Sequence, residues 1–266
     1  AVRAGEMALP YYGKIERHTK TVVTAGKQVD CAVTALDLAI QELLLAELIQ
    51  KGFTEYALNA EEETPLKFFF RNNYSTGITL HVDPIDGTKS FHEGNNRFAI
   101  GMGLSRIKEG KHDFFASVVY SPLEKELYWA FEDEVSAQKK LNPPARKFHA
   151  HRALNEEGKR RITEKGLQHY YPGCAHLGVI DAAMGKLSVY ALWRIEVHDA
   201  FIPYAFAKQK GIMMVDGMGN ILSSPFDLEI VNGKFSPLSK LTYFTNRQAY
   251  DEFWPVFENP ENLHKE

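Results

Sequence analysis

The spacing of apolar residues predicts one long helix near the start of the chain, over residues 34–51. Apolar side chains recur there at intervals of three and four, as on one face of a helix, and Gly52 ends the pattern. The positions that carry the pattern are Val33, Leu36, Ile40, Leu43, Leu44 and Leu48.

The next part of the chain shows a different pattern, in which apolar and polar positions alternate over short runs. Such alternation, with turn residues between the runs, is typical of an antiparallel sheet. The predicted strands are 78–82, 98–104, 115–120 and 126–131. Residues 83–88, directly after the first of these strands, are predicted to form a loop.

Strand and helix patterns alternate in the second half of the chain, which indicates a layered α/β arrangement. The predicted elements are a small-residue helix over 176–185, a strand over 187–192, a helix from Asp199 to Gly211 and a strand over 212–215. Asp199 would cap the second helix, and Pro203 would lie in its first turn, where a proline is tolerated.

A polar and basic stretch over residues 139–165, which contains Pro143 and Pro144, separates these two patterns. It predicts an N-terminal α+β lobe over residues 1–140 and a C-terminal α/β lobe over residues 141–266. The stretch itself is most simply a solvated face, and a nucleic-acid-binding module that uses it is the alternative.

Composition and charge narrow the class of protein. Hydrophobic residues make up 44% and charged residues 24%, as in a soluble globular protein with a real core. A net charge of -3 argues against binding of nucleic acid or of an anionic membrane, and no apolar run approaches the ~20 residues that span a bilayer. Two cysteines and a start unlike a signal peptide predict a cytoplasmic protein.

The segment from Asp83 to Thr88, Asp-Pro-Ile-Asp-Gly-Thr, is the strongest chemical signal. Two carboxylates three residues apart at the end of a strand converge if the chain turns sharply, and Pro84 stiffens such a turn. Carboxylates and a backbone carbonyl are ligands that Mg²⁺ prefers. The backbone N–H groups of Gly87 and Thr88 would suit a phosphate group. The alternative is a plain acidic turn in solvent.

This six-residue string, followed by the aromatic Phe91, resembles the signature of the inositol monophosphatase family. Further elements of that family appear in the same order. They are Val33-Thr34-Ala35-Leu36-Asp37, Glu62-Glu63-Thr64, Gly173-Cys174-Ala175 and Asp199-Ala200. The chain departs from the family at His198, where the family has Trp, and at Glu61, where the family has Gly. The second departure leaves either Glu61 or Glu62 as the acidic ligand, and the match to Glu-Glu-Ser favours Glu62.

The resemblance implies an α/β (α+β) fold, a layered αβαβα sandwich with two lobes and an active site between them. It implies phosphate monoester hydrolysis with two or three Mg²⁺ ions, one to activate water and another to neutralise the leaving oxygen. The implied metal ligands are Glu62, Asp83, the Ile85 carbonyl, Asp86 and Asp199. Asp37 and Thr88 would orient and deprotonate the attacking water. Gly173, Cys174 and Ala175 would line the substrate side, and the protein would be sensitive to lithium.

The substrate is the least determined feature. Inositol-specific members of the family place a glutamate seven residues before the second-signature aspartate, where this chain has Leu192. Glu196 is the nearest carboxylate, and Arg194 would bind a second phosphate through its planar guanidinium. A small phosphorylated metabolite is therefore expected, with a 3′-phosphonucleotide or a sugar bisphosphate favoured over inositol 1-phosphate.

Other readings remain open at this point. Histidinol phosphate is a further substrate within the same class of enzyme. A catalytically inactive, metal-binding regulatory protein is the alternative outside it. The resemblance also leaves room for a homodimer.

Overall fold

The computed structural model describes most of the chain. The described residues are 1–16, 18–24, 27–71, 74, 77–137, 141, 145–150, 155–192, 196–231, 234–236, 238 and 242–257.

The α-helices in this part of the chain are α1 Val2–Ala8, α2 Ala35–Gln50, α3 Thr88–Glu93, α4 Glu156–Glu164, α5 Ala175–Ala183, α6 Val197–Gln209 and α7 Arg247–Phe257. Short 3-10 turns span Leu9–Tyr11, Phe53–Glu55 and Pro65–Phe69.

The strands are β1 His18–Thr24, β2 Lys27–Val33, β3 Ala57–Ala60, β4 Ile78–Asp86, β5 Ala99–Lys108, β6 Lys111–Ser121, β7 Glu126–Phe131, β8 Glu134–Val135, β9 Lys147–Ala150, β10 Gln168–His169, β11 Val189–Leu192, β12 Ile212–Asp216, β13 Ile221–Leu222, β14 Ile230–Val231, β15 Lys234–Phe235 and β16 Thr242–Asn246.

Both large sheets are mixed. The first has the strand order β3-β4-β5-β6-β7-β8, with β3 parallel to β4 and antiparallel pairing from β4 onward. The second has the order β10-β9-β11-β16-β12-β13, with β10, β9 and β11 parallel and the remaining strands antiparallel. The pairs β1–β2 and β14–β15 form two small ribbons.

Three buried clusters define five layers. Apolar residues of α1 and α2 pack on one face of the first sheet. Helices α5 and α6 lie between the two sheets and share a single core with both of them. Residues of α4 and α7 cover the outer face of the second sheet. The αβαβα sandwich expected from the resemblance is confirmed.

The predicted lobe boundary at residues 140 and 141 stays a prediction. The central core contains residues from both sides of that position, and the rings of Phe114 and Phe201 stack there at 4.5 Å between centroids. Separate lobes would therefore have to share this core.

Helix α2 matches its predicted bounds because both of its ends are specified locally. The hydroxyl of Thr34 accepts a hydrogen bond from the backbone of Asp37, and the Asp37 carboxylate accepts one from the Thr34 backbone. This reciprocal pair caps the first turn. Gly52, with φ of 82°, follows the helix in a left-handed conformation that favours glycine.

Two predictions about local structure are wrong. Residues 83–88 are not a loop: β4 continues to Asp86 and α3 begins at Thr88. Helix α6 begins at Val197 rather than at Asp199, and Glu196 occupies the capping position. Asp199 is therefore the third residue of the helix, and Pro203 lies beyond the first turn, where it cannot donate to the Asp199 carbonyl. No helix in the described part of the chain has the length and apolar character needed to cross a bilayer.

Candidate active site

An irregular pairing near the end of β4 brings Asp83 and Asp86 together. Asp83 pairs with Gly101, and Asp86 pairs with Ala99. Between these two pairs β4 therefore contains one residue more than β5. Side chains three apart on a regular strand face opposite sides, and one extra residue in a bulge reverses this. Both carboxylates accordingly lie 3.6 Å from ring nitrogens of the same residue, His176.

Asp83 is buried, and its Oδ1 atom has no hydrogen-bond partner in the described part of the chain. Burial raises the pKa of Asp83 well above its usual range, and the charges of Glu61, Asp86 and Asp199 raise it further. A buried acceptor without a donor costs about 1–3 kcal/mol. A divalent cation would bind the free oxygen and offset the repulsion between these carboxylates, so the residues present fit such an ion.

Asp199 joins this group from the start of α6. Burial raises the pKa of Asp199 well above the usual range, and the charges of Asp86, Glu61 and Glu196 raise it further. A hydrogen bond from the backbone of Glu196 lowers it. Its side chain is 26% exposed, so it borders the site rather than lying beneath it. Ligand atoms of Asp83, His176 and Asp199 all lie within 4.8 Å of one another.

Of the two glutamates left open by the motif, Glu61 and Glu62, it is Glu61 that lies in a group of possible ligand atoms. Ligand atoms of Glu61, Asp83 and His198 lie within 4.8 Å of one another, and a hydrogen bond between the Glu61 and Asp83 side chains contributes to the raised pKa of Asp83. Glu62 is also buried, but it belongs to neither metal-ligand group found among the described residues. Its backbone is bonded at both polar groups by the Gln41 side chain, at 2.9 and 2.6 Å. The choice of Glu62 by motif matching stays a prediction, with Glu61 as the alternative that lies beside Asp83.

Asp86 connects the first signature to helix α5. Its Oδ1 accepts a hydrogen bond from the backbone of Ala175 at 3.1 Å, and its Oδ2 accepts one from the backbone of His176 at 2.5 Å. An acid at this position satisfies N–H groups that a helix terminus leaves without partners. Each carboxylate oxygen has a second lone pair, so this capping role leaves Asp86 able to bind a cation.

Asp37 and Thr88 are in direct contact although they are far apart in sequence. The Thr88 hydroxyl lies 3.0 Å from Oδ1 of Asp37 and 3.1 Å from the carbonyl oxygen of Ile85, the two acceptors to which it donates. The other carboxylate oxygen, Oδ2, accepts hydrogen bonds from the backbone and the hydroxyl of Thr34 at 2.8 and 2.5 Å. The residues predicted to form a relay are thus linked by a hydrogen bond.

The environment of Asp37 raises its pKa above that of an ordinary aspartate. Burial raises its pKa to about 6, the hydrogen bonds from Thr34 oppose this, and the charge of Glu61 adds to it. A carboxyl group with such a pKa can accept and release a proton near neutral pH.

Gly87 allows the first signature to pass close to the substrate-side loop. Its φ is 88°, and a Cβ at this position would lie 2.6 Å from the Cβ of Cys174. Cys174 is buried before the first turn of α5, and burial, followed by the charge of Asp86, raises the pKa of its thiol. A thiol kept protonated in this way is a poor nucleophile.

The loop before α5 is held by hydroxyl groups. The Gly173 carbonyl accepts hydrogen bonds from Ser90 at 2.7 Å and from the Tyr171 hydroxyl at 3.0 Å. Gly173 itself has φ of 96°, and a Cβ there would lie 2.5 Å from the carbonyl oxygen of Arg97. Together with the bond from Ala175 to Asp86, these contacts set Gly173, Cys174 and Ala175 beside the signature.

The segment proposed to choose the substrate is only partly described. Arg194 lies outside the described residues. Glu196 is the capping residue of α6, and its charge contributes to the raised pKa of Asp199. Leu192 is 5% exposed and packs in the central core, and its side chain has no hydrogen-bonding group.

The motif analysis missed His176 entirely and left His198 without a role. His176 is fully buried on α5, and its Nε2 donates a hydrogen bond to the carbonyl oxygen of His198 at 3.2 Å. Its Nδ1 has no partner in the described part of the chain. One signal in the sequence could have identified His176, because it directly follows the Gly-Cys-Ala element.

Known proteins resemble this chain in sequence and in fold. A model of the inositol monophosphatase family matches residues 1–229. Segments of the chain are similar to a 3′(2′),5′-bisphosphate nucleotidase, CysQ, of Salmonella typhimurium, 34% identical over 42% of this chain and 43% of that one. They are also similar to an inositol-1-monophosphatase of Caulobacter vibrioides, 30% identical over 43% of each chain. The matched segments thus span less than half the length of these relatives.

The fold is shared more widely than the sequence. A solved structure of an IMPase/NADP phosphatase, complexed with Mg²⁺ and phosphate, superposes with a TM-score of 0.72 at 17% identity, over 99% of this chain and 94% of that one. At this identity the likeness concerns the fold alone. The family model covers most of the chain and includes every acidic residue of the site, so the chain belongs to the inositol monophosphatase family.

Proposed function

We propose that this protein is a phosphomonoesterase that hydrolyses a small phosphorylated metabolite with the help of bound Mg²⁺. The observation that carries this proposal is the buried carboxylate cluster around Asp83. One oxygen of Asp83 has no hydrogen-bond partner among the described residues, and the pKa of each of Asp83 and Asp199 is strongly raised. Such a cluster is costly to hold without a cation and therefore indicates that a cation belongs there.

The residues that would hold the cations are Glu61, Asp83, the Ile85 carbonyl, Asp86 and Asp199. When bound, the cations would supply Lewis acidity toward the phosphoryl oxygens and toward a water molecule. The magnesium and phosphate present in the IMPase/NADP phosphatase support the choice of ion and of substrate class.

The chain's own proton-transfer groups are Thr88 and Asp37. Thr88 would accept a hydrogen bond from the attacking water and pass a proton along its 3.0 Å contact to Asp37. Asp37 is kept in position by its two hydrogen bonds from Thr34, so the acceptor oxygen points at Thr88 without reorganisation. This contact favours an enzyme over an inactive metal-binding protein, for which nothing requires a buried carboxyl to face a threonine hydroxyl.

The substrate side favours a ligand other than inositol 1-phosphate. A site that hydrogen-bonds a substrate hydroxyl discriminates strongly, and Leu192 in the core cannot supply such a bond. The CysQ relative, a bisphosphate nucleotidase, supports a 3′-phosphonucleotide or a sugar bisphosphate. Arg194 is the proposed contact for the second phosphate.

A substrate panel tests this proposal. Phosphate release with Mg²⁺ should be fastest for a nucleotide 3′,5′-bisphosphate or a sugar bisphosphate, slower for inositol 1-phosphate, and inhibited by Li⁺. Arg194→Ala should lower kcat/KM by about 10-fold for the bisphosphate alone. Absence of turnover on the whole panel would refute the enzyme assignment. If inositol 1-phosphate has the highest kcat/KM and Arg194→Ala does not change that value, only the choice of substrate is refuted.

A further inference from the structure

Arg97 lies between α3 and β5 and is largely buried, although the proposed chemistry does not use it. Its side chain is 12% exposed, and arginine is rarely buried without a charged partner. Its Nη1 donates to Asp181 at 3.3 Å and to Glu124 at 3.1 Å, and its Nη2 also donates to Asp181. Asp181 is itself buried on α5, so the carboxylate depends on this arginine for its charge partner.

The same guanidinium also holds the chain that leads into α5. Its Nε donates to the carbonyl oxygen of Pro172 at 3.1 Å, and its Nη2 donates to the Tyr170 hydroxyl at 2.9 Å. A guanidinium presents five N–H groups in one rigid plane, so a single side chain can bond partners in several directions. Arg97 therefore joins this segment directly to helix α5 through Asp181.

The backbone of Arg97 lies against the same segment. A Cβ on Gly173 would lie 2.5 Å from the Arg97 carbonyl oxygen, and a Cβ on Gly87 would lie 3.5 Å from that oxygen. Because Pro172 directly precedes Gly173, the side chain and the backbone of Arg97 contact two consecutive residues. One residue thus fixes the start of the substrate-side loop, Gly173-Cys174-Ala175, beside the first signature.

The position of this loop decides how closely the first signature is held. A Cβ on Gly87 would lie 2.6 Å from the Cβ of Cys174, and Asp86 accepts a hydrogen bond from the backbone of Ala175 at 3.1 Å. Backbone N–H groups bind an anion well only when their direction is fixed in advance. A loop that is free to shift would therefore weaken phosphate binding at Gly87.

We propose that Arg97 is a positioning residue, which holds the substrate-side loop against the first signature and so fixes the signature's backbone N–H groups for the phosphate group of the substrate. These N–H groups belong to Gly87 and Thr88. Arg97 acts through its bonds to the loop and to Asp181 and does not itself touch the substrate. The inference rests on the proposed function, in which phosphate binds at these groups.

Three variants separate the positioning of the loop from the pairing of charge. Arg97→Gln removes both. Arg97→Lys keeps a positive charge beside Asp181, but one ammonium group lacks the planar fork needed to reach Pro172 and Tyr170 as well. The double variant Arg97→Gln with Asp181→Asn leaves no buried carboxylate without its arginine, so it provides a measurement if Arg97→Gln fails to fold.

The matched control is Arg106→Gln. Arg106 is another arginine of the first sheet and bonds Asp113 at 3.2 Å and Glu132 at 3.0 Å, neither of which belongs to the substrate-side loop. Circular dichroism and thermal scans check the folding of every variant. Kinetics are measured with adenosine 3′,5′-bisphosphate at saturating Mg²⁺. Calorimetry with inorganic phosphate and Mg²⁺ gives a binding constant that needs no turnover.

Arg97→Gln should raise KM and the dissociation constant of phosphate by about 10-fold each, with kcat changed by less than about 3-fold. The rate is spared because the contact between Thr88 and Asp37 involves no bond of Arg97. Arg97→Lys should recover thermal stability but keep the raised KM, and the double variant should resemble Arg97→Gln. Loss of fold alone would do the opposite, since a smaller active fraction lowers kcat and leaves KM unchanged.

Three results would overturn the inference. KM and phosphate affinity could be unchanged in folded Arg97→Gln, Arg97→Lys could restore both, or Arg106→Gln could raise KM by the same factor. Weaker phosphate binding in the Arg97 variants, with no turnover by the unsubstituted protein, would refute the proposed function alone. Turnover with an unchanged KM in those variants would refute the positioning role alone. An unsubstituted protein that neither binds phosphate nor turns over would refute both.

Discussion

Two parts of the candidate site differ in how completely their polar atoms are paired. Around Asp37, one carboxylate oxygen accepts two hydrogen bonds from Thr34 and the other accepts one from Thr88. Around Asp83, by contrast, one carboxylate oxygen and a nitrogen of His176 have no hydrogen-bond partner in the described part of the chain. Both parts are buried and acidic, so burial alone does not explain the difference.

The difference indicates which part awaits a ligand. The Asp37 cluster is complete within the protein and is suited to hold a proton. The Asp83 cluster is complete only when something positive enters it, because burial and then neighbouring carboxylates raise the pKa of Asp83 and of Asp199. Substitutions in the two clusters therefore test this difference.

The largest effect is expected at Asp83. Asp83→Asn keeps the volume but removes a cation ligand, so turnover should fall by about 10³-fold or more. In metal-free protein the same change removes a buried, repelled charge and should raise the midpoint of thermal unfolding. Steady-state assays with Mg²⁺ and thermal scans in chelator measure the two effects. A loss of both activity and metal-free stability would show that Asp83 has a structural role instead.

A pH-dependent effect is expected at Asp37 in metal-free protein. Its pKa is about 6 in the folded state against an ordinary value of 3.8, so the folded state binds more protons between these values. The free energy of unfolding should therefore fall as the pH rises through this window, by on the order of 3 kcal/mol, and level off above it.

Urea unfolding in chelator, compared between the unsubstituted protein and Asp37→Asn, isolates this contribution. The lost hydrogen bonds of the variant shift its stability at every pH, whereas the missing carboxyl changes only the pH dependence. Parallel stability curves for the two proteins would contradict the raised pKa.

Thr88 should affect the rate of reaction more than the binding of substrate. Thr88→Ala removes the hydroxyl that contacts Asp37, and kcat should fall by about 10²-fold with little change in KM. Thr88→Ser keeps the hydroxyl and serves as the matched control, with most of the activity retained. If KM rises while kcat is unchanged in the alanine variant, Thr88 binds phosphate and has no part in proton transfer.

The smallest effect separates the two neighbouring glutamates. Glu61→Gln should weaken Mg²⁺ binding by about 10-fold because Glu61 lies with Asp83 in a ligand group. Glu62→Gln should leave Mg²⁺ affinity nearly unchanged, since Glu62 belongs to neither ligand group of the described residues. Calorimetric titration of both variants makes the comparison, and the reverse order of effects would restore the motif-based choice.

Local interactions explain the parts of the fold that were predictable. The reciprocal bonds between Thr34 and Asp37 and the left-handed Gly52 lie within or beside α2, so the sequence of that segment is sufficient to set its ends. The predicted start of α6 was two residues too late. Glu196, Asp199 and Pro203 each offer a plausible local signal for a helix start. Only the packed helix shows that Glu196 is the capping residue.

The sequence by itself determined the family through short motifs, and the resemblance to that family predicted the layered fold and most of the acidic residues of the candidate site. The tertiary structure decided what depends on distances between separate elements. The bulge that brings Asp83 and Asp86 to one side, the closeness of Glu61 to Asp83 and the packing of the His176 ring against Gly101 all arise where separate elements meet. No local pattern encodes such contacts, since each requires two segments far apart in sequence to pack side by side.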